Sequence, residues 1–240
     1  MIEVAISYGF GADNRYNLEE IPPKIQLASY KFDPLIENQD KIIDTLEKAG
    51  TNLLVVHLPL DVLHQDKDEI LDVIFTFNQT FACNHFVIHP NKGIEDFLDY
   101  YLENKLMKLP VKYDYSLCIE TFQWRKKKKI RSPLDIMEYC IKNPEFSMCI
   151  DTSHIESIWF DHKIMRTLLK YTSVIHLSNR AKGHGSHMPF NSPHGDLNLV
   201  GFIKDLKHIY KWNGIIVLEY MPEHQDKLLK NYYYAKRLLE

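Results

Sequence analysis

Met148-Cys149-Ile150-Asp151-Thr152-Ser153-His154 begins as an apolar run, halts on a carboxylate and then offers an imidazole. A strand that is apolar along its length and ends in ligand-type side chains aims chemistry at something. The figure recurs along the chain. Leu53 to Val56 ends on His57, Phe86 to Ile88 on His89, and Leu117 to Ile119 on Glu120. Val174-Ile175 ends on His176, and Ile215 to Leu218 ends on Glu219. The intervals are close to one βα unit of about 30 residues. Separate accidents explain such a series poorly, and a shared site explains it well.

The segments between these runs carry a helical period. Ile36, Ile42, Ile43, Leu46 and Ala49 form one stripe, and Gly50 sits where that helix stops. Ile70, Leu71, Ile74, Phe77 and Phe81 form another, and Ile94, Phe97, Leu98, Tyr101 and Leu102 a third. Ser132-Pro133 reads as an N-cap followed by proline at the first helical position, opening a helix that ends before Asn143-Pro144. Further helices are expected around Ile164 to Lys170, through Phe202, Ile203, Leu206 and Ile209, and from Leu228 to Leu239.

The strands expected are Ile2–Ser7, Lys24–Phe32, Leu53–Leu58, Phe86–His89, Tyr115–Glu120, Phe146–Asp151, Ser173–Leu177 and Ile215–Tyr220. Short, apolar strands alternating with helices imply a parallel sheet covered on both faces, and a set of this size implies closure into a (β/α)8 TIM barrel. The 240 residues agree with the usual barrel length of about 250, so residues 1–240 are expected to form a single domain. Asn179 to Asn198, rich in Gly, His, Pro and Asn, breaks the rhythm and reads as a long loop of the functional kind.

Composition sets outer limits. With 45% hydrophobic and 25% charged residues the chain is globular, and a net charge of -3 excludes a strong overall attraction to polyanions. Cys83, Cys118, Cys140 and Cys149 show no C-x-x-C pairing, so reduced thiols and a cytoplasmic location are expected. No apolar run is long enough to span a bilayer and no secretory leader is evident, so a soluble, unprocessed chain with no membrane partner is expected.

In a barrel the C-terminal strand ends face one mouth, where active sites lie. His57, His89, Glu120, Asp151, His176 and Glu219 should therefore converge. Mixed imidazole and carboxylate ligands suit zinc, with manganese, iron or magnesium as alternatives, and not calcium. Three carboxylates brought together without cations would repel one another, and divalent metal is the simplest way to hold them.

The ordered series His57-Leu-Pro59, His89-Pro90, Ile119-Glu-Thr121, Ile150-Asp-Thr-Ser-His154, Ile175-His-Leu177 and Leu218-Glu219 resembles the AP endonuclease family 2 and xylose isomerase-like barrel superfamily, and most of all its endonuclease IV branch. The resemblance implies that His57, His89 and Glu120 hold one metal, and that Glu120 bridges to a second held by Asp151, His176 and Glu219. It implies a third metal on His154 with an Asp-x-His pair after strand seven. That pair is missing here, and Gly183-His184-Gly185-Ser186-His187 and Pro193-His194-Gly195-Asp196 stand in its place. His187 is the first choice for the replacement ligand and His194 the second, with His184 also in the loop.

Two chemistries fit. A phosphodiester hydrolase would clamp a phosphate between metals, whereas a sugar or sugar-phosphate isomerase or epimerase would use one metal, with Glu120 and Glu219 moving a proton beside a carbonyl. Only the hydrolase needs His57 and His89, so the expectation is an endonuclease IV-like hydrolase. Its substrate would be damaged DNA or a small phosphorylated or sugar compound. A barrel that binds metal or ligand without turnover is the third possibility. Leu60 stands where the endonuclease branch tends to carry an aromatic, which weighs against duplex DNA. Arg125-Lys126-Lys127-Lys128-Lys129, beside Trp124, is either a phosphate clamp or a solvated charge run.

Overall fold

A computed structural model describes residues 1–9, 21–29, 31–108, 114–121, 132–181 and 185–240, the side chains of 105–108 excepted. Its strands are β1 (Glu3–Gly9), β2 (Lys24–Ala28), β3 (Asn52–His57), β4 (His85–Ile88), β5 (Ser116–Glu120), β6 (Phe146–Asp151), β7 (Thr172–Leu177), β8 (Asn179–Ala181), β9 (Gly185–Met188) and β10 (Ile215–Leu218). Strands β1 to β7 and β10 close into one barrel in the order β1-β10-β7-β6-β5-β4-β3-β2, every pairing parallel. The helices are α1 (Phe32–Glu37), α2 (Gln39–Ala49), α3 (Lys67–Phe81), α4 (Ile94–Lys108), α5 (Pro133–Lys142), α6 (His162–Leu168), α7 (Leu199–His208) and α8 (Leu228–Leu238). The expected fold is the observed one.

Two apolar layers explain the closure. Strand residues such as Val56, Phe86, Ile88, Leu117, Ile119, Met148, Ile150, Ile175, Ile216 and Leu218 belong to the large core that also holds the helix stripes. Their neighbours Ala5, Val55, Val87, Cys118, Cys149, Val174, Ile215 and Val217 form a separate, fully enclosed cluster. Successive strand side chains point to opposite faces, so this second set fills the inside of the barrel. It is built of small residues, as the narrow interior requires. All four cysteines are free and buried.

Local signals set the helix ends. Ser132 accepts from the Asp135 N–H at 3.2 Å while the Asp135 carboxylate accepts from the Ser132 N–H at 2.8 Å, closing a capping box with Pro133 at the first helical position. Gly50 ends α2 at φ +62°, a backbone region that glycine enters without strain. No helix among the described residues is long and apolar enough to cross a membrane.

Most strand ends differ from the sequence reading by one or two residues, the stripe from Ile36 to Ala49 is divided between α1 and α2, and two differences are larger. The second strand stops at Ala28, and Phe32 opens α1, because the Phe32 N–H donates to Asp61 Oδ1 at 3.0 Å and caps the new helix from outside. The stretch Asn179 to Asn198 contains an antiparallel hairpin of β8 and β9. Apolar alternation could not reveal it, since polar contacts hold it. Asn179 Nδ2 donates to the carbonyls of Phe190 (3.2 Å) and Leu197 (2.9 Å), and its Oδ1 accepts from the N–H groups of Arg180 and Leu197. The Met221 N–H donates to the His187 carbonyl at 2.9 Å, tying the hairpin to the segment after β10.

Candidate metal centre

Each sequence-nominated strand-end residue stands two positions beyond a member of the interior apolar cluster: His57 after Val55, His89 after Val87, Glu120 after Cys118, Asp151 after Cys149, His176 after Val174 and Glu219 after Val217. The pleat returns to the same face every second residue. All six therefore point inward, one level above the apolar plug, at the C-terminal mouth. All but Glu219 are buried.

Glu120 is the hub. Its Oε2 lies 2.7 Å from His89 Nε2 and 3.2 Å from His57 Nε2, and its Oε1 lies 2.8 Å from His176 Nδ1. The same His176 nitrogen is 3.0 Å from Glu219 Oε2. On the far side of the rings, His57 Nδ1–H donates to the Leu58 carbonyl at 2.9 Å and His176 Nε2–H to Gln26 Oε1 at 2.9 Å. Each back-side bond assigns the ring proton outward. In the neutral ring the nitrogen facing Glu120 is then a lone pair opposite carboxylate oxygens.

A second cluster stands beside the first. Asp151 Oδ1 accepts from the Ser153 N–H (2.8 Å) and hydroxyl (2.9 Å), which fixes the carboxylate and leaves Oδ2 toward His154 and His187. His154 Nδ1 is 3.1 Å and His187 Nε2 3.9 Å from that Oδ2. The Nε2 atoms of the two histidines are 3.1 Å apart. His187 is delivered by β9 and holds φ +56°, a strained value for a non-glycine residue.

Burial pulls His57 down, yet the hydrogen bond and charge of Glu120 carry its pKa above the ordinary value. His176 stands well above its ordinary value: burial opposes the proton, but Cys149, Glu219 and Glu120 together outweigh it. Burial opposes and Asp151 prevails at His187, also raised. Burial wins at His89, which is lowered. Burial resists the charge of Glu120 and Glu219 too, but the surrounding histidines hold Glu120 well below the carboxylate range and Glu219 below it.

The donor set fits metal. Asp151 Oδ2 is buried and accepts no hydrogen bond among the described residues. His57, His89 and Glu120, then Glu120, Asp151, His176 and Glu219, and then Asp151, His154 and His187 each hold one ligand atom within 4.8 Å of all the others in its group. The Glu120 contacts of 2.7 to 3.2 Å are a little under the roughly 3.3 Å that Zn–N and Zn–O bonds of about 2.0–2.1 Å imply for a tetrahedron.

Every nominated ligand among the described residues joins the centre except His194, which is exposed in the loop beyond β9. His187 takes the place foreseen for one or the other. His184 and the run Arg125 to Lys129 with Trp124 lie outside the described residues. Sequence reading missed Gln26, Ser153 and Thr121, whose Oγ1 accepts from the Asp151 N–H at 2.8 Å. It also missed Cys149 as a neighbour of Glu120 and His176. The hint for Gln26 was slight: a polar residue between Ile25 and Leu27 in a strand that also opens on Lys24.

Comparison with known proteins follows the same lines. The model of the family described as xylose isomerase-like TIM barrel matches residues 31–235. A probable endonuclease 4 of Mycoplasmopsis agalactiae is 24% identical over 187 residues, 68% of this chain and 64% of that protein. The match thus spans less than two thirds of that relative. Among solved structures, a D-tagatose 3-epimerase-like protein superposes with a TM-score of 0.66 at 12% identity, covering 99% of this chain and 100% of that one. Endonuclease IV from Thermus thermophilus gives 0.64 at 13% identity, covering 98% and 99%. At such identities the likeness is one of fold.

Proposed function

The chain belongs to the xylose isomerase-like TIM-barrel family, and from that premise we propose that it is a metal-dependent phosphodiester hydrolase with a multinuclear, zinc-type centre. The observation that carries this reading is the division of Glu120: Oε2 faces His57 and His89, and Oε1 faces His176. A carboxylate with an imidazole set on each oxygen is arranged as a ligand shared by two ions would be. His57, His89 and Glu120 would hold one ion, Glu120, Asp151, His176 and Glu219 a second, and His154 and His187 with the outer Asp151 oxygen a third. Ions bound there supply Lewis acidity toward a phosphoryl oxygen and lower the pKa of a water to about 7.

The chain's own residues set the stage for that chemistry. The apolar plug of Val55, Val87, Val174 and Val217 forms the floor beneath these side chains. Histidines crowd Glu120 and Glu219 and hold both carboxylates ionised against burial, which keeps them in the form that binds a cation. Asp151 is locked by Ser153 and Thr121, which aims its remaining oxygen without reorganisation.

The matched endonuclease 4 relative favours damaged DNA as substrate, and Leu60 at the rim, 39% exposed, favours a smaller phosphodiester. A second reading rests on one contact: Glu120 and Glu219 flank a single His176 nitrogen at 2.8 and 3.0 Å, the paired carboxylates that a sugar isomerase or epimerase would use for proton transfer. Metal analysis of the purified protein with assays on an abasic-site oligonucleotide and bis-p-nitrophenyl phosphate tests the proposal. Two or three ions per chain and chelator-sensitive cleavage are expected. About one ion, with solvent exchange of a ketose C–H proton, would overturn it in favour of isomerisation. A full metal complement without turnover on any of these substrates would mark a binding barrel.

A further inference from the structure

Gln26 sits at the middle of β2, fully buried. By register it stands beside Ser7 of β1 and Val55 of β3. Its neighbours at that depth are Ala5, Val55, Val87, Cys118, Cys149, Val174 and Val217, so an amide there interrupts an apolar layer. An amide without partners at such a place is costly, and here both ends are satisfied. Oε1 accepts from His176 Nε2 at 2.9 Å, and Nε2 donates to Ser7 Oγ at 3.3 Å.

His176 has one nitrogen toward Gln26 and the other toward Glu120 and Glu219. A neutral imidazole carries a single proton, and the nitrogen that binds metal must be the bare one. We propose that Gln26 is a positioning residue that keeps the His176 proton on Nε2 and so reserves Nδ1 as the metal ligand, with Ser7 satisfying the far end of the amide. This rests on the metal-centre reading above. The contact works by orientation: Ser7 Oγ takes the amide NH2, the amide oxygen meets His176, and the ring plane is set by a bond from outside the ligand sphere. Without the acceptor, a buried N–H would lack a partner, and the tautomer with the proton on Nδ1 would gain at the expense of metal binding.

The experiment has a readout on the wild-type chain itself. Long-range 1H–15N spectra of the zinc-loaded protein should show His176 protonated on Nε2, with Nδ1 at a metal-bound shift; the opposite pattern overturns the proposal. In chelator competition, Gln26→Leu should weaken zinc binding by about 10- to 100-fold, the range for such supporting contacts. Gln26→Glu, which keeps the acceptor, should recover most of it. Ser7→Ala, a milder change should the leucine variant not fold, should give a smaller loss in the same direction. Equal zinc affinity and an unchanged tautomer in Gln26→Leu would refute the role of Gln26 while leaving the metal centre standing. Failure of the folded wild type to bind zinc, cobalt or manganese would remove the centre itself, and the role of Gln26 with it.

Discussion

The inner nest around Glu120 and the outer trio of Asp151, His154 and His187 use the same chemistry on different supports. Every member of the inner nest lies at or next to the end of a barrel strand, and is seated two residues above the interior apolar cluster. The outer trio starts from a strand but is completed by a turn and by a hairpin whose own register is irregular. Sheet register fixes the first group wholesale, so those positions are set as soon as the barrel closes. The second group depends on a polar loop that must be held in place separately, and His187 carries backbone strain as well.

The sharpest test of this contrast sets Glu120 against His187. Removing Glu120 deletes the bridge and leaves His57, His89 and His176 without their common carboxylate. Glu120→Ala should lose most bound metal and reduce diester cleavage by at least about 10³-fold, beyond the cost of losing one electrostatic contact. His187→Ala should remove one ion at most and cost about 10- to 100-fold. Metal counts by mass spectrometry beside initial rates would decide. Equal losses would abolish the distinction between nest and trio.

His89→Ala divides the inner nest itself. His89 faces Glu120 Oε2 and stands apart from the Glu219 side of His176, so this variant should abolish diester cleavage while a metal held by Glu120, Asp151, His176 and Glu219 remains. If the chain isomerises sugars, that activity should persist. Full loss of isomerisation would show that the two lobes do not work separately.

A third test acts on the support alone. A Cβ at Gly195 would collide with the Asn179 amide, and Asn179 is the side chain that pins the loop at Phe190 and Leu197. Gly195→Ala should cost about 1–3 kcal/mol by overpacking. It should also release the outer metal while the inner ions stay. Thermal unfolding with metal analysis checks both parts, and a variant that keeps all its metal would show that the hairpin needs no latch.

The same contrast explains what could be read from the chain. The barrel and the meeting of its strand-end side chains were legible because apolar runs mark the strands and parallel closure brings their ends together, so His57, Glu120 and Glu219 could be joined across most of the sequence. The hairpin was not legible. Its strands are held by Asn179 and by the His187 carbonyl, and polar contacts leave no period. For the same reason His187 and His194 could be named only as alternatives until tertiary structure placed one inside and one out. Gln26 was overlooked because a single polar residue in a strand has no meaning until its register partner is known. The early opening of α1 at Phe32 depends on Asp61, a residue from another βα unit.

The smallest expected effect concerns protons, and its sign follows from the inner nest. Glu120 and Glu219 are depressed below their ordinary value of 4.5. The metal-free chain therefore gains stability from them above that pH and loses it as pH falls through their folded values. His57 and His176 are raised above 6.5, so their contribution is complete below that pH and fades as pH rises through the raised values. Metal-free protein should accordingly draw most from the nest between about pH 4.5 and 6.5. Metal requires the bare imidazoles that high pH favours. The gap in melting temperature between zinc-loaded and metal-free protein should thus widen from about pH 6 to about pH 8, and calorimetry at neutral pH in buffers of different ionisation enthalpy should show protons released on zinc binding. The trio contributes one raised histidine, His187, so His187→Ala should lower the proton count only slightly. A constant gap across that range would mean that the histidines facing Glu120 are already bare before metal arrives, and that the carboxylates are held together by some other means.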